Sequence, residues 1–249
     1  MSKDRAVTAA AGESPSEHPR THRGVWLFAR DILLILLAAL VLSFLIKTFF
    51  VRSFYIPSPS MVNTLQINDR VIVSLLTPTL VPLRRGDIVV FEDPGGWNPE
   101  DELPQPSDSP VTDVLAFLGL AAPDDNSHLI KRVIGLPGDR VACCTATGHL
   151  TVNGTPIEEP YITLNLGATA ADPQPFRVTV PKNDLWVMGD NRDASADSAY
   201  HFDKQDATPY VPLRDVTGKA VVISWPIGRW TVLSNYPDTF LKVKPPSSK

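Results

Sequence analysis

The sequence predicts a mostly β protein: an antiparallel sheet or barrel-like domain preceded by one N-terminal transmembrane helix. Three observations predict it. One uncharged apolar run near the front, with its flanks, is long enough to cross a bilayer. After residue 52 the apolar runs shorten to five or six residues, rich in Val and Ile and fenced by Gly, Pro, Asp and Asn, which is the pattern of strands. The 24 prolines among 249 residues are about twice the usual share of ~5% and favour turns and short strands over long helices.

Composition narrows the class further. With 43% apolar and 20% charged residues the chain can bury a real core, which excludes a wholly disordered chain and a collagen-like or coiled-coil rod. The 23 Lys+Arg against 27 Asp+Glu leave a net charge of -4, so there is no basic surface for nucleic acid and none is expected as a partner. Two cysteines cannot build a disulfide scaffold, and no spaced Cys/His set points to zinc. No metal or cofactor is expected.

In chain order, residues 1–25 are polar and aperiodic and read as a disordered cytoplasmic tail. Ile32 to Ile46 carries no charge, and its extension through Val51 gives 20 residues, or ~30 Å of helix. Residues 26–51 therefore read as an anchor in the lipid bilayer. The segment is apolar on every face rather than on one stripe, unlike a buried soluble helix. The long charged leader, and the lack of a small-x-small pair soon after the run, speak against a cleaved signal peptide. Lys3, Arg5, Arg20, Arg23 and Arg30 precede the helix while Lys47 and Arg52 follow, which places the N-terminus in the cytoplasm and residues 52–249 outside it.

Strands are predicted at Arg70–Leu75, Asp87–Phe91, Leu129–Ile134, Phe176–Val180 and Ala220–Trp225, and Asn153-Gly154 marks a tight hairpin. No βαβ alternation appears. Residues 92–127 hold nine acids, several prolines and no Lys or Arg, and read as an acidic surface insertion. Adjacent residues lie ~3.8 Å apart across a trans peptide, too close for an ordinary disulfide, so Cys143 and Cys144 are expected as two free thiols.

A serine hydroxyl becomes a useful nucleophile only when a base takes its proton. Histidine is the usual base, but His18 and His22 lie in the tail, and His128, His149 and His201 fall in no serine-protease-like motif. A lysine can serve if burial lowers its pKa from ~10.4 towards neutrality. Lys131 suits this, set among Leu129, Ile130, Val133 and Ile134 in a predicted strand, with Arg132 pointing to the opposite face. Each feature also has a plainer reading. Lys131 can be solvated on the polar side of its strand, Ser58 and Ser60 can form a turn, and Gly189–Asp193 can be a loop whose carboxylates cap local amides.

The combination of Phe54-Tyr55-Ile56-Pro57-Ser58-Pro59-Ser60-Met61, Arg85–Phe91, Lys131–Asp139 and Gly189–Ser198 resembles the type I signal peptidases, over about residues 30 to 230. Lys131–Asp139 and the GDNRD run Gly189–Asp193 are its most specific pieces. The resemblance implies a membrane-bound serine endopeptidase that removes signal peptides from exported preproteins outside the cytoplasm. It assigns Ser60 as nucleophile, Lys131 as general base, Ser58 as an oxyanion donor and Ser195 as the residue that holds the lysine. It pairs Arg132 with Asp190. It lines alanine-sized pockets, and hence a small-x-small preference, with Phe54, Ile56, Pro57, Met61, Leu65 and Ile130. Three positions depart from the family pattern: Asn63 replaces a proline, Ala194 an asparagine, and Ala199 an arginine that pairs with the aspartate matched by Asp197. They leave a second reading open, a catalytically impaired membrane partner of an active peptidase. They also imply a looser turn behind Ser60.

Overall fold

The uncharged run forms a single helix, α1 (Thr21–Phe49), in the computed structural model, which describes residues 21–97, 128–164, 169–205 and 207–246. Its part Gly24–Phe49 is long and apolar enough to cross a membrane, with a mean hydropathy of 2.7 over an 18-residue stretch. Residues Val25 to Phe50 keep large apolar side chains exposed on all sides, so an apolar surround rather than a protein core would satisfy them. The helix begins at Thr21, a few residues before the expected start of the anchor. The chain divides into two compact units, Met1–Leu45 and Ile46–Lys249.

The second unit is built on two antiparallel sheets. The larger comprises β1 (Val51–Tyr55), β2 (Arg70–Ser74), β3 (Ile88–Glu92), β4 (His128–Gly135), β9 (Asp184–Met188), β10 (Val211–Pro212), β11 (Val216–Trp225) and β12 (Thr231–Val232). They lie in the order β1-β2-β11-β3-β4-β9-β10, with β12 beside β11. The smaller runs β7-β6-β5-β8, from β5 (Arg140–Cys143), β6 (Thr151–Val152), β7 (Thr155–Pro156) and β8 (Phe176–Thr179).

Sequence pattern explains placement. β8 alternates buried and exposed residues and so has one wet face. β3 and β4 are buried nearly throughout, as strands covered on both faces must be; β3 accordingly reads as an unbroken apolar run, whereas β4 buries Lys131 and Arg132 among its apolar residues. Their register sets Val89 opposite Lys131 and Ile88 opposite Arg132. The hairpin at Asn153-Gly154 has φ of 51° and 79°, the paired left-handed geometry that an Asn-Gly turn supplies.

One expectation is overturned. Cys143 and Cys144 form a vicinal disulfide rather than two free thiols. The peptide between them is cis, which brings the Cα atoms to 3.0 Å and sets both side chains on one side, a geometry the trans spacing did not allow for. Of the acidic insertion, residues 98–127 lie outside the described residues. Just before them Trp97 is buried edge-on to Phe91 and donates Nε1–H to Thr208 O at 2.8 Å.

Candidate active site

Ser60 is held by a turn that its own prolines shape. Beyond β1, Pro59–Met61 makes one 3-10 turn with proline at its first position, where the fixed φ suits the turn and no N–H is wasted. The turn closes through Val62 N–H to Pro59 O at 3.0 Å. Ser60 is thereby drawn in to 5% exposure. From β4, Lys131 is 3% exposed and its Nζ donates to Ser60 Oγ at 2.8 Å. Ser58 Oγ lies 3.2 Å from the same oxygen. Burial pushes the Lys131 pKa down to about 8, against the pull of Asp197 and Asp190, which favour the charged amine.

Arg132, on the other side of β4, is wholly buried and needs a full set of acceptors. Its Nε and Nη2 bind Asp190 Oδ1 and Oδ2 at 2.8 and 2.7 Å, and Nη1 binds the Gly86 carbonyl at 2.8 Å. The guanidinium carbon stands 4.1 Å from the centroid of the Tyr161 ring. Asp190 also accepts from Thr64 Oγ1 at 2.5 Å. The ion pair expected from the resemblance is therefore present, with a threonine and a tyrosine that the motifs did not mark.

The loop after β9 is tied to the serine turn by Asn191, whose backbone N–H reaches Ser60 O at 3.0 Å and whose Nδ2 reaches Pro59 O at 3.2 Å. Close approach explains the glycine before it: a Cβ at Gly189 would collide with the Ser195 side chain and the Ser60 carbonyl. Arg192 is fully buried on Glu159, Nη2 to Oε1 at 2.5 Å, and its Nε binds Gly189 O at 3.0 Å.

The departures from the family pattern find local explanations. Asp197 caps α2 (Ser198–Lys204), accepting from Ala199 N–H at 3.1 Å, and its other oxygen takes Gly189 N–H at 2.8 Å. Backbone amides thus satisfy the carboxylate where Ala199 offers no guanidinium. Asn63 sits at φ 99°, a conformation closed to proline, and its Nδ2 donates to Tyr161 O at 3.0 Å. The turn behind Ser60 is accordingly tethered rather than loosened. Ala194 is exposed, and no described contact depends on a longer side chain there.

One expected contact is not formed. Ser195 Oγ is buried without a hydrogen-bond partner and turns towards Gly189, while the hydrogen bond of Lys131 goes to Ser60. The residues expected to line the pockets divide. Phe54, Ile56, Met61, Leu65 and Ile130 share one buried apolar cluster, whereas Pro57 is exposed outside it. Met61 and Leu65 are entirely covered within that cluster. Glu159, Tyr161 and Thr64 escaped sequence reasoning, since no motif marks them.

A buried amine hydrogen-bonded to a buried serine hydroxyl can, once uncharged, take that hydroxyl's proton, which is chemistry open to a serine hydrolase. The profile described as "Signal peptidase, peptidase S26" matches residues 29–225, and the chain belongs to that family. It is 36% identical over 255 residues to the probable signal peptidase I of Mycobacterium leprae, covering 92% of this chain and 86% of that one. It is 38% identical over 224 residues to the signal peptidase I of Mycobacterium tuberculosis, covering 82% and 75% of the two. A similar likeness holds to the signal peptidase I of Leptolyngbya laminosa, 38% identical over 173 residues, with 70% and 68% covered. The chain is accordingly a serine peptidase of the signal peptidase I class.

Proposed function

We propose that this chain is a membrane-anchored endopeptidase that cuts signal peptides from exported preproteins after small-x-small sequences, with Ser60 as nucleophile and Lys131 as general base. The observation that carries it is the 2.8 Å contact between a buried amine and a buried hydroxyl. An amine with pKa of about 8 exists in part as the free base near neutral pH and can accept the Ser60 proton. Ser60 Oγ then bonds to the scissile carbonyl carbon, and the resulting oxyanion takes hydrogen bonds from Ser60 N–H and the Ser58 hydroxyl. The Lys131 ammonium returns its proton to the leaving amine as the C–N bond breaks. A water deprotonated by Lys131 hydrolyses the acyl ester and frees Ser60.

The side chains of Phe54, Ile56 and Ile130, packed in one cluster with Met61 and Leu65, support apolar recognition of small residues, since large ones would have to displace a packed core. Residues 26–51 act as the anchor with a cytoplasmic N-terminus, and residues 52–249 work outside the cytoplasm. Asp197 and Asn63 are both satisfied without the usual residues, which supports an active peptidase over an impaired partner.

Incubating the purified chain with a preprotein should yield a mature N-terminus following a small-x-small site. Ser60→Ala and Lys131→Ala should each abolish it; cleavage surviving either change would overturn the assignment. Protease protection of the C-terminal part in right-side-out vesicles would overturn the topology.

A further inference from the structure

Residues Glu159–Thr163 carry none of the family's motifs, yet they lie between the serine turn and the loop after β9. Tyr161 is their hub, at 1% exposure. Its carbonyl accepts from Asn63 in the turn behind Ser60, its ring faces the Arg132 guanidinium at 4.1 Å, and its hydroxyl donates to Glu159 Oε1 at 2.9 Å. Glu159 binds Arg192, which holds the Gly189 carbonyl. Two residues on, Thr163 N–H reaches Asp190 O at 2.8 Å. One side chain and its carbonyl thus touch the serine turn, the ion pair beside the lysine, and the anchor of the GDNRD loop.

We propose that Tyr161 is a positioning residue of the peptidase reaction, which seats Arg132 against Asp190 and so sets the charge that Lys131 experiences. The inference rests on Lys131 acting as the general base.

The charged groups acting on Lys131 are the Asp190 and Asp197 carboxylates, both from the loop after β9. From β3 its paired residue is the apolar Val89, and the serine turn contributes neutral hydroxyls. Asp197 is bonded to backbone amides. Asp190 alone of the two is paired with a guanidinium, so its pull on the amine depends on where Arg132 sits. A flat ring against the flat guanidinium favours the orientation that meets the carboxylate with two parallel bonds. Without the ring Arg132 is freer to turn, Asp190 is less neutralised, and the amine holds its proton to higher pH.

The test compares Tyr161→Leu, which removes the ring, with Tyr161→Phe, which removes only the hydroxyl bond to Glu159. kcat and KM are measured on a peptide with an Ala-x-Ala junction between about pH 6 and about pH 10. Tyr161→Leu should lower kcat about tenfold with KM changed less than about twofold, and should move the rising limb of kcat against pH upward by roughly half a pH unit or more. Tyr161→Phe, which fills the same space, should move it the same way by less. A purely structural role would lower the folded fraction and leave the midpoint in place. The proposal is overturned if soluble Tyr161→Leu keeps the wild-type midpoint; should Tyr161→Leu fail to fold, Tyr161→Met, which also lacks the ring, decides. Failure of the general-base reading looks different: the Lys131→Ala variant would keep its activity.

Discussion

Lys131 and Arg132 are neighbours on one strand with opposite treatment: Arg132 is bound bidentately to Asp190, while the hydrogen bond of Lys131 goes to the neutral Ser60 hydroxyl. Both are buried. A guanidinium stays charged in proteins and must be paired, whereas an ammonium can give up its proton when unpaired and buried. The strand thereby places a permanent cation and a titratable base one residue apart.

The first consequence is a pH profile. Only the free amine can take the Ser60 proton, and burial holds the Lys131 pKa at about 8. kcat/KM should therefore rise with pH about tenfold per unit below that value and level off above it. A rate that is flat from about pH 6 to about pH 8 would contradict an amine acting as base.

The same burial costs stability. Lowering the pKa from 10.5 to about 8 corresponds to roughly 3 kcal/mol. Between those values the unfolded chain keeps the proton and the folded chain has released it, so stability rises with pH across that window; below about 8 the whole penalty is present. Lys131→Met, which fills similar space without a charge, should be inactive yet more stable by up to about 3 kcal/mol at neutral pH. Urea unfolding should show that advantage shrinking as the pH approaches 10.5.

Ser58 offers a separate test of oxyanion binding. Its hydroxyl is 3.2 Å from Ser60 Oγ and part-buried. Ser58→Ala should lower kcat by about 10²–10³ while KM changes little, the signature of a donor used mainly in the transition state. A loss confined to KM would assign Ser58 to substrate binding instead.

Asn63 shows how this chain differs from its relatives. At φ 99° the position is closed to proline, although proline is the usual family residue there. Asn63→Pro should forfeit the bond to Tyr161 O and strain the turn, costing on the order of 2–3 kcal/mol in urea unfolding and reducing kcat. A variant as stable as wild type would mean the turn can adopt the relatives' conformation.

The β class, the apolar helix and the hairpin at Asn153-Gly154 were legible in the linear chain, because each depends on periodicity, a local turn or a short run of residues; the pairing of Ser60 with Lys131, 71 residues apart, was reached only through the family resemblance. β3 announced its burial by being apolar without alternation, whereas β4, with Lys131 and Arg132 inside it, did not. The resemblance supplied the Arg132–Asp190 pair, but nothing in the chain order revealed the partner of Arg192. Glu159 meets Arg192 33 residues away, and Tyr161 comes under Arg132 through contacts that no local pattern encodes. The missing Ser195 contact, the cis link at Cys143-Cys144 and the left-handed Asn63 belong to the same group. Local forces chose the strands and supplied the reactive groups. Long-range packing and the demand that every buried charge find a partner chose their neighbours, and with them the proton affinity of the amine.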